Sequence, residues 1–158
     1  MKTLKIAFYK ATYGDWLDKT IAFFSNGPYS HVEMIFENNL SFSSSPRKNG
    51  IDFRTAEFKD SGETSKANSE ITFITERWTF IDVTVNDTQY NTIWDFCEEQ
   101  VGKKYDWFGA VYSVLPIIPG SSNRWYCSEV IIASFHTANL WLPINEEITP
   151  VELYYDIK

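Results

Sequence analysis

The sequence predicts an α+β fold, with an antiparallel sheet packed against helices. Segments with period-two alternation crowd the first half of the chain. Apolar stripes with helical spacing dominate the second half. Strands and helices are therefore partly segregated rather than alternating as they do around a parallel sheet. The chain has 158 residues with 44% hydrophobic content, enough for one real core and too few for two. With no internal repeat and no linker composition, residues 1–158 are expected to form a single domain.

Residues 4–9 alternate weakly and predict the first strand. Asp15 is placed to cap a helix reaching about Ser25, with Leu17, Ile21 and Phe24 on one stripe. Asn26-Gly27-Pro28 ends that helix. Residues 31–37 predict a strand that puts Val32, Met34 and Phe36 on one face and His31, Glu33 and Ile35 on the other. Asn38-Asn39 turns the chain into a strand near 40–44, and another is expected near 50–54. Residues 57–70 are rich in Ser, Glu, Lys and Asn and predict a mobile surface loop. Strands return at 71–75 and 78–85. Asp87 or Thr88 opens a helix to about Val101, with a buried stripe of Ile93, Phe96, Cys97 and Val101, and Gly102 stops it. A shorter helix is expected from Asp106. The helix starting at Cys127 should end near Asn139. Thr149-Pro150-Val151-Glu152 has the form of a capping box with proline in the first turn, which predicts one more short helix.

Composition narrows the function classes. A net charge of −7 argues against nucleic-acid or anionic-membrane binding by bulk charge. No apolar run is long enough to span a bilayer, so no integral membrane segment is expected. The first ten residues lack the apolar core of a secretion signal, which makes reduced thiols and a cytoplasmic setting the expectation. The two cysteines and two histidines have no metal-ligand spacing. The glycines match no phosphate-binding fingerprint, and Ser43-Ser44-Ser45 lacks a serine-hydrolase elbow. No metal and no cofactor is expected.

Cys127 carries the strongest chemical signal. A thiol at the start of a helix meets unpaired backbone N–H groups and the positive end of the helix dipole, both of which favour thiolate. His31 on a strand supplies a base with a pKa near neutrality. The backbone N–H of Cys127 is a natural donor to an oxyanion. Two groups are placed to fix the imidazole, Glu33 on the same strand face and Ser43 on the following strand. Each residue also has a simpler reading. Free cysteine is among the most buried residue types, and a lone histidine is more often structural. Cys97, mid-helix on the apolar stripe, reads as core. His136 reads as a charge at a helix C-terminus.

Three segments in this order resemble a known family. Ser30-His31-Val32-Glu33-Met34-Ile35-Phe36, Gly102-Lys103-Lys104-Tyr105-Asp106-Trp107 and Trp125-Tyr126-Cys127-Ser128-Glu129-Val130 are similar to motifs of circularly permuted papain-like hydrolases. These form the YiiX-like branch of the NlpC superfamily, to which lecithin retinol acyltransferase is related. The order His before Cys is the permuted one. The resemblance implies a permuted papain-like fold, Cys127 as nucleophile and His31 as general base. Where the family places its third polar residue, this chain has Leu40-Ser41-Phe42-Ser43-Ser44 and no acid. Glu33 is therefore expected to orient the ring, with Ser43 in reserve. The implied activity is hydrolysis of an amide or ester bond, with a peptide or peptidoglycan-like amide ahead of an acyl lipid. Trp125, Tyr126 and Trp107 are expected to contact the substrate. Two alternatives remain on the same residues, a lipid acyltransferase or thioesterase and a catalytically weak bacteriophage structural or host-interaction module. The sequence leaves the oligomeric state open.

Overall fold

The structure, a computed structural model, describes residues 1–15, 18–19, 26–46, 48, 50–62, 70–106, 124–140 and 148–158, with Arg124 described by its backbone alone. Its class is mixed α+β. Six strands form one sheet: β1 (Lys2–Lys10), β2 (Tyr29–Ile35), β3 (Leu40–Ser45), β4 (Gly50–Lys59), β5 (Ile71–Ile74) and β6 (Trp78–Val85). Their spatial order is β5-β4-β3-β2-β1-β6, with only the β4–β5 pair parallel. The two edge strands, β5 and β6, are joined by Thr75–Arg77 alone, closed by a hydrogen bond from Arg77 N–H to the Ile74 carbonyl (2.8 Å). A turn that short cannot cross a flat six-stranded sheet, whose strands lie about 4.8 Å apart. The sheet therefore curls until its edges meet. Phe73 on β5 packs against Trp78 and Phe80 on β6, with ring centroids 4.7 and 6.2 Å apart.

The curl gives the sheet two unlike faces. Leu4, Ile6, Phe8, Val32, Met34 and Phe42 point outward into the main core. There they meet helices α1 (Asp87–Gln100), α2 (Cys127–Thr137) and α3 (Pro150–Ile157). The concave face holds a smaller cluster of Ala7, Ile35, Ala56, Phe73 and Trp78. Short parallel strands β7 (Lys104–Tyr105) and β8 (Arg124–Trp125) pair beside β4.

Local chemistry accounts for the helix ends. Asn86 and Gln89 exchange reciprocal side-chain-to-backbone hydrogen bonds of 2.8 and 3.0 Å at the start of α1, so the helix opens at Asp87, the first of the two expected positions. Thr149 and Glu152 do the same for α3. Asp15 accepts from Asp18 N–H as a helix cap does (3.3 Å), but most of the helix expected to follow, including Leu17, Ile21 and Phe24, lies outside the described residues. So does the helix expected from Asp106 onward.

Two expectations are corrected. Residues 57–59 are not loop but the end of β4, paired to β5 through Glu57–Thr72, Phe58–Phe73 and Lys59–Ile74. Their polar composition hides a strand because Glu57 and Lys59 are buried as an ion pair (3.5 Å). Val101 leaves the buried stripe. Its backbone turns extended after Gln100, and the side chain is 44% exposed.

Candidate active site

Strand β2 brings His31 and Glu33 to the concave face together, because residues two apart in a strand share a side. A bulge precedes them. Tyr9 pairs with His31 and Lys10 with Tyr29, which leaves Ser30 as the extra residue. The bulge turns Tyr29 onto the helix side with Val32, which strict alternation would forbid. Ser30 is fastened by donating to Asp18 Oδ1 (2.8 Å). On the other side of β2, the ladder to β3 holds only at Met34–Phe42 and Ile35–Ser41. The start of β2 and the end of β3 are thus unpaired with each other, and the sheet is split beside His31.

The start of α2 lies against that split. Ser44 on β3 donates to the Trp125 carbonyl (2.6 Å), and Asp106 N–H donates to the same oxygen (3.1 Å). Glu129 reaches back to accept from Tyr126 N–H (2.9 Å), and Ser128 donates to the Ile148 carbonyl. These bonds fix the first turn of α2, whose first residue is Cys127. Its backbone N–H has no acceptor within the helix. Cys127 is a free thiol without exposed surface, and the His31 ring lies within hydrogen-bonding reach of its sulfur.

On its other side, His31 Nε2 stands 3.1 Å from Glu33 Oε1. That same oxygen accepts from Arg54 Nη2, and Oε2 accepts from Ser41. Glu33 is 1% exposed. Burial alone would raise its carboxyl, but the hydrogen bond to His31 and the Arg54 charge outweigh burial and hold it below the usual range. Burial likewise works to lower His31. The charge and hydrogen bond of Cys127, reinforced by Glu33, prevail and push the imidazole up from 6.5 to about 9. With Nε2 engaged by Glu33, Nδ1 is the ring atom left for the sulfur.

A cavity of about 610 Å³ opens inside the curl, walled in part by His31, Glu33, Arg54, Trp78 and Tyr105. His31 and Tyr105 border both the cavity and the sulfur, while Cys127 itself does not reach the cavity wall. The Tyr105 and Tyr126 rings stand 6.3 Å apart near the sulfur. Burial, then the Cys127 charge, pushes both hydroxyls above their ordinary value. The Tyr126 hydroxyl is buried without a nitrogen or oxygen partner among the described residues, so the adjacent sulfur is its polar neighbour.

The structure thus brings Cys127, His31 and Glu33 together. Ser43 does not meet the ring, because its hydroxyl accepts from Arg54 Nη2 (2.9 Å). Trp125 and Tyr126 do not line the cavity. The Trp125 indole is spent on Gln100 (3.0 Å), and Tyr126 is buried under the sulfur. Trp107 lies outside the described residues. Burial drives the Cys97 thiol well above its ordinary value, as suits a core residue. Sequence reasoning missed Arg54, Ser41 and Trp78. Trp78 sets its ring edgewise to His31, with centroids 6.4 Å apart. Arg54 carried one signal, parity with the inward residues of its strand, but that parity has meaning only once the β3–β4 register is known.

Among the described residues there is no group of three or more His, Cys, Asp or Glu side chains placed to hold a metal ion, and no helix long and apolar enough to cross a membrane. The chain matches no family model and no curated protein sequence.

Proposed function

We propose that the protein is a cysteine hydrolase of permuted papain-like type that cleaves an amide or ester bond. One observation carries the reading. His31 is held between the sulfur of a helix-start cysteine and a buried carboxylate. In the first half-reaction the thiol proton passes to His31 as sulfur attacks the carbonyl carbon. The developing oxyanion is met by the backbone N–H of Cys127. The C–N or C–O bond then breaks, and His31 returns the proton to the leaving group, which leaves a thioester. In the second half-reaction water gives a proton to His31 and attacks the thioester. The acyl group leaves as a carboxylic acid, and the proton returns to sulfur. Glu33 holds the ring in the tautomer these transfers require. A peptide or peptidoglycan-like amide remains the favoured substrate class, on the family resemblance and the anionic charge.

A panel of acyl amides and esters, assayed with wild type and Cys127→Ala, tests this. Turnover is expected with wild type only, with acyl mass trapped on Cys127 by rapid acid quench. Equal turnover by a folded Cys127→Ala variant overturns the reading.

A further inference from the structure

We propose that Arg54 is a positioning residue that weakens the hold of Glu33 on the His31 proton, so that the imidazole can both take and give it. The inference rests on the hydrolase reading above.

A buried carboxylate beside a catalytic histidine raises a charge problem. Thiolate, imidazolium and carboxylate together carry one excess negative charge in a site with little water, and this opposes ionisation of the sulfur. An uncompensated carboxylate also traps the ring as imidazolium, and such a ring is a poor donor to a leaving group. Arg54 answers both difficulties. It is 8% exposed and stands on β4, two strands away, yet its Nη2 bonds the same Oε1 that faces His31 Nε2. One oxygen therefore divides its charge between guanidinium and imidazole, while Ser41 occupies the other. With Arg54 present, the four charges of the activated site cancel.

Several titratable and polar groups face this chain among the described residues. They are Cys127 from α2, Ser41 and Ser43 from β3, Tyr105 from β7, Tyr9 from β1, and around the cavity Asp15, Asp18, Lys48, Glu70 and Arg77. Arg54 and His31 are the cations in contact with the Glu33 carboxylate among the described hydrogen bonds.

The chain has two histidines, so His31 can be followed by NMR titration against His136 alone. Arg54→Met should raise the His31 midpoint by about one pH unit, tenfold in proton affinity, as Oε1 turns wholly to the ring. kcat on whichever amide or ester the panel identifies should fall about tenfold or more, with KM moved less. Arg54→Lys should restore most of both. A folded Arg54→Met protein with the wild-type His31 midpoint overturns the proposal, as does Arg54→Lys behaving like Arg54→Met. If Arg54→Met does not fold, Arg54→Gln, which keeps a hydrogen-bond donor toward Glu33 without the charge, takes its place. It should raise the His31 midpoint in the same direction, and a wild-type midpoint in a folded Arg54→Gln protein overturns the proposal. Because the midpoints need no turnover, they decide the role of Arg54 even if Cys127→Ala proves as active as wild type and the hydrolase reading fails.

Discussion

Wild type should lose stability between pH 6.5 and about 9 as His31 titrates, and His31→Asn should remove that dependence. The folded protein holds the imidazole proton more tightly than the unfolded chain, so unfolding in this window releases a proton. The stabilisation is fully present below the unfolded value of 6.5 and is lost as pH rises through about 9. Each unit of displacement corresponds to about 1.4 kcal/mol, so the loss is at most about 3–4 kcal/mol. Burial acts in the opposite direction, and the effect comes from Cys127 and Glu33 overcoming it. Urea unfolding of both proteins at intervals from about pH 6 to about pH 10 measures the effect. The difference between their unfolding free energies cancels every group that titrates alike in the two. It should shrink as pH rises. A difference that is flat across the window, or that grows with pH, would show that the ring is not held charged by its neighbours.

Other consequences can be checked by the same unfolding measurement. Asn86→Ala removes the side chain that accepts from Gln89 N–H and should cost about 1 kcal/mol. Gly50→Ala places a Cβ 2.6 Å from the Lys103 carbonyl oxygen, which Ile51 N–H also bonds, and should cost about 1–3 kcal/mol by forcing β4 from β7.

The parts of the fold that were legible are those written in local chemistry. Trp78–Val85 was readable from alternation, and the start of α3 from Thr149-Pro150-Val151-Glu152, because strands and caps depend on neighbours within a few residues. The end of β4 was illegible. Glu57 and Lys59 look like solvent-facing loop residues until one knows that each has the other as partner. The site divides the same way. His31 and Glu33 are two apart on one strand, so their meeting follows from period two alone. The approach of Cys127 follows from the split between β2 and β3, a property of pairing that no window of sequence contains. Arg54 lies further still from local inference, since its partner is two strands away.

That distance explains the serines of β3. Arg54 on β4 pairs across from Ser41 on β3, and Ile35 on β2 pairs with the same serine. Adjacent strands lie about 4.8 Å apart, so the guanidinium must pass over β3 to reach Glu33. Ser41 and Ser43 leave room for it and add hydrogen bonds along its path. Ser43 therefore acts as floor and partner for Arg54, a role that its place near the histidine strand had suggested was catalytic. The two roles separate on substitution. Ser43→Ala forfeits one bond from a charged donor, about 1.5–3 kcal/mol, and leaves the path open. Ser43→Leu fills the path. Overpacking costs about 1–3 kcal/mol, and separating a buried ion pair costs about 3–5 kcal/mol more. Ser43→Leu should thus be less stable than Ser43→Ala by about 3 kcal/mol or more in urea, and its His31 midpoint should rise as Glu33 is freed from the guanidinium. If leucine is tolerated as well as alanine, the guanidinium does not need the space above β3, and the coupling from β4 to the imidazole is not the rigid one described.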